Sequence, residues 1–509
     1  MNPFSRRDFL KLGWKFLETS AAAKLLSKHI PAQGKQGEAP NIVLLVCDAM
    51  SARNLSLYGY PRRTTPNLEK LADRAFVYHN HYANGNFTSP GTSSLLTGLH
   101  PWTHRAVNLS GVIKKKYAEH NLFRFLGDDY FKLAFTQNLW AYYLLDQFSS
   151  DIQSLLPISE FGLLHKSANH PPFNNDAVIS GHALERMLYY KNSLLLSFLY
   201  GLFHQSDISA LPDDKYPDGF PIAQYFDYPF TMEDLFDGIA SQILDLNRTS
   251  SPFFSYFHIY PPHHPYAPNS DFYGMFDEDG FIPIEKKSHS LADGDGQPSL
   301  NSERANYDAF IANVDMEIGR LIATLDEQDV LENTYFIITS DHGEMFERGT
   351  DGHVTPLLYD PVIHIPLIIL PPGNQTRMDV TSPTNSVDLL PTLLNLSGKK
   401  IPATAEGTLL PGLGGVEDPN RSIFIMEAKE SAAHNPFTMA TYAVIKGNNK
   451  LIHYSGYGNK YSNYFEFYDL EQDLEELQDK YSAPRFQPVI EKMKRELFNA
   501  INKANENLA

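Results

Sequence analysis

The residues Asn41-Ile42-Val43-Leu44-Leu45-Val46-Cys47 form an unbroken β-branched and leucine run that stops at an acid, Asp48. A strand that is apolar at every position has no wet face, so it belongs inside a largely parallel sheet covered by helices on both sides. Two further runs have the same character: Thr334-Tyr335-Phe336-Ile337-Ile338-Thr339, closed by Ser340-Asp341-His342-Gly343-Glu344, and His364-Ile365-Pro366-Leu367-Ile368-Ile369-Leu370. Helical patterns lie between them at residues 65–72 and from Tyr307 through Leu325. Strands alternating with helices predict an α/β sandwich. In open sheets of this kind ligands bind beyond the carboxyl ends of the strands, where Asp48, Asp341 and His342 stand.

The rest of the chain divides by composition. Residues 1–38 read as a targeting segment, because Ser5-Arg6-Arg7-Asp8-Phe9-Leu10-Lys11 resembles the twin-arginine export signal. That reading predicts use of the twin-arginine export machinery and a periplasmic or extracellular protein. Lys15, Glu18 and Lys24 interrupt the apolar stretch, and the alternative is an amphipathic helix with Leu10, Trp14, Leu17, Ala21 and Leu25 on one stripe. Residues 39–398 are expected to form the main domain, with an insertion at about 149–228 rich in aromatics, Pro and Asn. Within it, residues 193–203 are apolar but fall short of the ~20 residues of a membrane span, so a buried helix or a cap is expected, with peripheral membrane contact the sharper alternative. Residues 287–303 read as a solvent loop. Residues 399–509 are expected to form a subdomain with a small antiparallel sheet, closed by a charged helix from Pro488 to Ala500.

Charge and cysteine content exclude some functions. With 42 Lys+Arg against 60 Asp+Glu the formal net charge is −18, which speaks against nucleic acid as a partner. Cys47 is the single cysteine, so there is no intrachain disulfide and no cysteine-rich zinc site. Strand alternation points Cys47 away from the side of Asp48, as an apolar filler. Lys114-Lys115-Lys116 reads as a solvated turn, and His79 with His81 as part of a packed loop.

Chemistry concentrates at Asn86-Phe87-Thr88-Ser89-Pro90-Gly91-Thr92-Ser93-Ser94-Leu95-Leu96-Thr97-Gly98, a loop running into a helix. A hydroxyl there is ordinarily a cap, but free N–H groups at such an end also favour an anion. Asp48, Asp341 and His342 are hard-oxygen and imidazole ligands suited to a divalent metal, with an oxygen nucleophile as a remaining ligand. His263, in Pro262-His263-His264-Pro265-Tyr266, and His353, in Asp351-Gly352-His353, are candidates to bind the transferring group or protonate a leaving group.

With Tyr58-Gly59, Thr65-Pro66-Asn67-Leu68, Leu95-Leu96-Thr97-Gly98, Pro252-Phe253-Phe254, Asp388-Leu389-Leu390-Pro391-Thr392-Leu393-Leu394 and Tyr468-Asp469-Leu470-Glu471 in this order, the chain resembles the sulfatase branch of the alkaline phosphatase superfamily from about residue 40 to 480. The resemblance implies a three-layer α/β/α sandwich with a large, mostly parallel mixed sheet, plus a small C-terminal α+β subdomain with an antiparallel sheet. Three features depart from the sulfatase pattern. Thr88-Ser89-Pro90-Gly91-Thr92 stands where sulfatases carry Cys(or Ser)-x-Pro-x-Arg, whose first residue becomes formylglycine. Asp48-Ala49 replaces paired aspartates, and Gln137-Asn138-Leu139-Trp140 aligns with Gly-Lys-Trp-His.

What remains is similar to the superfamily's threonine-using phosphoethanolamine and glycerol-phosphate transferases and phosphodiesterases. That similarity implies one divalent ion (Mn, Zn, Ca or Mg) held by Asp48, Thr88, Asp341 and His342, with His263 and His353 about the phosphoryl oxygens. It predicts cleavage of a phosphoester or phosphodiester, on a small molecule or a lipid head group, through a phosphothreonine intermediate. Such transferases are anchored by transmembrane helices, and no run of that length is present outside the targeting segment, so hydrolysis and transfer stand side by side. The alternatives are a sulfatase working without formylglycine and a binding protein on a degenerate scaffold.

Overall fold

A computed structural model describes residues 39–163, 215–223, 228–249, 251–433 and 435–506. The twin-arginine-like motif and the apolar run at 193–203 lie outside the described residues. Among the described residues no helix is long and apolar enough to cross a membrane.

The main sheet has eight strands: β1 (Asn41–Cys47), β2 (Phe76–Tyr78), β3 (Phe131–Thr136), β4 (Ser154–Leu155), β5 (Phe253–Ile259), β6 (Thr334–Thr339), β7 (Leu367–Leu370) and β8 (Met378–Val380), in spatial order β8-β2-β7-β6-β1-β5-β3-β4. Only β7 runs against the others, pairing antiparallel with both β6 and β2. The first two apolar runs therefore sit side by side in the centre, Val46 opposite Thr339, with β5 on the other flank, Val46 opposite His258. The mostly parallel mixed sheet is thus as expected, and the third run supplies the antiparallel exception. Ser154–Leu155, read as part of the aromatic insertion, is the sheet's edge strand instead, with Leu133 opposite Ser154.

Side-chain alternation along β1 splits the core into two layers. Val43, Leu45 and Cys47 pack with α1 (Pro66–Ala72), α4 (Met232–Asn247) and α5 (Gln297–Glu327). Ile42, Leu44 and Val46 pack with α2 (Thr88–Thr97), α3 (Leu139–Gln147) and α6 (Leu389–Leu396). Cys47 is buried in the first layer, as alternation required. Helix α5 begins at Gln297, inside the stretch read as a solvent loop, because Pro298 suits a first turn and Leu300 and Ala305 continue its buried side.

The C-terminal part has four antiparallel strands, β9 (Ser422–Glu427), β10 (Ala440–Lys446), β11 (Asn449–Tyr457) and β12 (Tyr461–Asp469), and α7 (Gln487–Glu506). One face packs through Ile423, Ile425, Ala443 and Ile452 onto Leu357, Leu358, Val362 and Ile363 of the main domain. The other carries Tyr442, Val444 and Leu451 against Ile490, Met493 and Leu497 of α7. Lys450 is buried between Asp360 (3.0 Å) and Glu476 (2.6 Å), an ion triad that fixes the register of β11 on the main domain.

Helix α1 is capped from a distance. Its N-cap Thr65 makes no side-chain capping bond. The N–H groups of Asn67 and Leu68 donate instead to the Asp315 carboxylate on α5, each at 2.8 Å. Asp315→Ala leaves both donors unpaired, that of Leu68 buried, and is expected to lower stability by about 1–3 kcal/mol in urea unfolding.

Candidate active site

Acids and histidines meet at the carboxyl ends of β1, β5 and β6. Asp48 follows β1, Asp341 and His342 follow β6, and one ligand atom from each lies within 4.8 Å of the others. Thr88 is the first residue of α2, and its N-cap is Phe87. The Thr88 hydroxyl is not a cap: it accepts a hydrogen bond from Asn138 Nδ2 at 3.1 Å and lies 3.5 Å from His342 Nε2. The structure therefore brings Asp48, Thr88, Asp341 and His342 together as one cluster.

Asn138, from the stretch that departs from the Gly-Lys-Trp-His pattern, has become a positioning residue. Its Oδ1 caps α3 by accepting from Trp140 N at 2.8 Å, and its Nδ2 donates both to Thr88 and to Asp48 Oδ2 at 2.6 Å. Thr92, at the place of the motif arginine, donates to Asp341 Oδ2 at 3.3 Å. Gly91 lets α2 dock here: a Cβ on it would collide with the Asp341 carbonyl oxygen. Gly91→Ala gains helix propensity of about 1 kcal/mol, but it forces α2 away from Asp341. The expected outcome is a fold that survives by circular dichroism with loss of turnover and of tight metal binding.

His263 and His353 stand beside this cluster. The His342 and His353 rings lie 4.2 Å apart between centroids, tilted by 34°, and His353 meets His263 edge-on at 4.8 Å. His353 Nδ1 is held by Glu344 Oε1 at 2.9 Å, and His263 Nδ1 donates to the His264 carbonyl at 2.6 Å. Each keeps Nε2 for another partner. His342 is fully buried, whereas His263 is 5% and His353 9% exposed, so these two occupy the open side.

His258 escaped the sequence reading because it sits inside the aromatic strand β5. The signal was available: period-two alternation puts Phe254, Tyr256 and His258 on one face, next to the end of the strand. Its Nε2 lies 3.4 Å from Asp48 Oδ2 and 3.7 Å from Asp341 Oδ2, while Nδ1 is 3.1 Å from the Tyr256 hydroxyl.

Electrostatics show what the cluster lacks. Burial pushes the Asp48 carboxyl up, but the charges and hydrogen bonds of His263, His258 and His342 outweigh it and hold it well below the usual range. Burial and then the Asp48 charge raise Asp341. For His342 burial disfavours the cation, yet Asp341 and Asp48 lift it to about 9. Burial raises Glu344 to about 7. Two carboxylates in a dry pocket repel each other, and Asp48 Oδ1 is approached by His342 Nε2 at 3.4 Å without a well-formed hydrogen bond. These residues fit a divalent cation: a hard-oxygen and imidazole donor set, with an orphaned carboxylate oxygen in the cluster. Thermal denaturation after chelation and after adding back Mn²⁺ or Zn²⁺ checks this. At about 100 times Kd the ion is expected to add about 2.7 kcal/mol, and Asp341→Asn to abolish the gain.

A three-layer sandwich with acids, histidines and a helix-borne hydroxyl at the carboxyl edge of its sheet is the architecture of the alkaline phosphatase superfamily. The family model for sulfatases matches residues 40–399, and that for the C-terminal region of N-sulphoglucosamine sulphohydrolase matches residues 354–503. The chain belongs to the sulfatase family and is a hydrolase of it. An arylsulfatase of Clostridium perfringens is 22% identical over 498 residues, covering 92% of this chain and 95% of its own. An ulvan-active sulfatase of Formosa agariphila is 25% identical over 412 residues, 78% of this chain and 70% of its own. The phosphonate monoester hydrolase of Agrobacterium radiobacter shares the fold with a TM-score of 0.66 at 18% identity, over 91% of this chain and 96% of that one.

Proposed function

We propose that this sulfatase-family hydrolase cleaves an anionic ester by direct attack of Thr88 Oγ, with a phosphoester or phosphodiester as substrate. The observation that carries the reading is the Thr88 hydroxyl itself: relieved of any capping role, it is oriented by Asn138 toward the Asp48-Asp341-His342 cluster. A divalent ion held by Asp48, Asp341, His342 and Thr88 would acidify the hydroxyl and offset charge on the transferring group. Asn138 holds Thr88 Oγ and Asp48 in one orientation, so the nucleophile is placed before substrate arrives. A new Oγ–P bond forms as the P–O bond to the alcohol breaks. His263 Nε2 is left as an acceptor, because Nδ1–H donates to the His264 carbonyl and burial lowers the pKa of the ring; it takes the proton released by the Thr88 hydroxyl and passes it to the leaving oxygen, while His353, oriented by Glu344, binds a phosphoryl oxygen beside it. The first N–H groups of α2 add positive potential at the developing charge. Water then cleaves the phosphothreonine bond and releases phosphate from a monoester substrate or a phosphomonoester from a diester.

The sulfate-ester alternative has its own support, because the relatives named above are sulfatases; by that comparison it fits better than the phosphoester. Against it stand Thr88 for the convertible cysteine or serine, Thr92 for arginine and Asn138 in the stretch that supplies lysine. We further propose that residues 39–398 carry the catalysis, that 399–509 brace it, and that 1–38 direct export.

Matched aryl phosphodiester, phosphomonoester and sulfate esters, given to the purified chain and to Thr88→Ala with Mn²⁺ or Zn²⁺, test the proposal. Phosphate-ester turnover that falls by more than roughly 10³-fold in Thr88→Ala is the expected result. Thr88-dependent cleavage of the sulfate ester alone would replace it with the sulfatase reading.

A further inference from the structure

We propose that Arg105, Lys114 and Lys115 form a binding site for a second anionic group, a sulfate, phosphate or carboxylate other than the one cleaved. They line a surface cavity of about 800 Å³ together with Asn108, Ser110 and Gln147, and among the described residues no acidic one lines it. In a chain of net charge −18, three cations around one cavity without a carboxylate are a local reversal of sign.

Arg105 is the centre of the argument. It adopts φ 70°, a left-handed conformation that costs a residue with a side chain free energy, and it is 1% exposed. Among the described residues no carboxylate pairs with it. One guanidinium nitrogen, Nη1, donates to the Asn435 carbonyl at 3.3 Å, and the group lies 4.1 Å over the Phe437 ring. Nε and Nη2 have no partner. Burying a guanidinium costs more than one carbonyl and one ring return, so the group is left short of negative charge beside the cavity. Lys114 and Lys115, read from the sequence as a solvated turn, stand at the same cavity.

The cavity is tied to the reaction centre on two sides. Ser89, next to Thr88, donates to the Leu109 carbonyl at 2.5 Å, and Gln147 of α3 bonds both the N–H (2.9 Å) and the carbonyl (3.1 Å) of Ile113. Asn108 Nδ2 holds the carbonyls of Lys429 and Ser431 at 2.7 and 3.0 Å, and Lys429 Nζ reaches the Val354 carbonyl beside His353. The anion is either a second group on the substrate, which rests on the ester-hydrolase reading, or a free oxyanion, which does not.

Calorimetric titration of inorganic sulfate into the full chain carrying His263→Ala and His353→Ala, which strip the reaction centre's own anion contacts, reads the site directly. Adding Lys114→Gln and Lys115→Gln is expected to weaken sulfate at least about tenfold; adding Lys287→Gln and Lys400→Gln, two exposed lysines elsewhere, controls for net charge. Arg105→Gln is expected to act in the same direction, and the lysine pair decides if that variant does not fold. No sulfate binding in the starting protein, or binding that the lysine changes leave intact, overturns the proposal. With both histidines present, a raised KM in the lysine variant confined to aryl esters bearing a second sulfonate assigns the site to substrate; lost sulfate binding with an unchanged KM ratio assigns it to a free oxyanion. If no ester is turned over by any protein, the catalytic reading falls while the titration still decides this site.

Discussion

Everything at the active site depends on two like-charged carboxylates, Asp48 and Asp341, being held in one dry pocket. The force that holds them there is not their own. Six consecutive β1 residues pair in parallel with β6 and six with β5, burying apolar side chains on both sheet faces. That burial outweighs the repulsion between the two acids, which is why their neighbours are imidazoles and amide donors and why the cluster suits a cation.

The second requirement is a close approach of α2 to that edge. Gly91 supplies it by having no side chain against Asp341, and the loop before α2 is braced from outside. Asn84 bonds through its carbonyl to Met426 N and through Nδ2 to the Phe424 carbonyl of β9, and Asn86 Nδ2 ties the carbonyls of His353 and Thr355. The small C-terminal sheet is therefore part of what places Thr88, although it contributes no residue to the cluster.

Set against the sulfatase pattern, the departures are reassignments of the same positions. Asn138 now orients the hydroxyl and caps α3, and Thr92 secures Asp341 in place of a longer cation. Ala49 fills the second aspartate's place in a left-handed turn, and His258 reaches Asp48 and Asp341 from the neighbouring strand. A degenerate binding scaffold has no need to keep these partners in mutual contact; their contacts are the reason the site reads as a working one.

How much was legible follows from the range of the interactions. Continuous apolar runs and their acidic ends are local patterns, so the sequence alone established the α/β architecture, the central strands and the buried place of Cys47, and it singled out Asp48, Thr88, Asp341, His342, His263 and His353 as candidates. Register and docking are long-range. That His258 faces Asp48 across 210 residues, that Ser154–Leu155 closes the sheet, that Thr88 is free of capping, and that Lys114 joins the unpaired Arg105 at one cavity were decided by tertiary packing. The physical reason is that a side chain's chemistry is written in its own residue, while its partners are set by which distant backbones the hydrophobic core brings within a few ångströms of it.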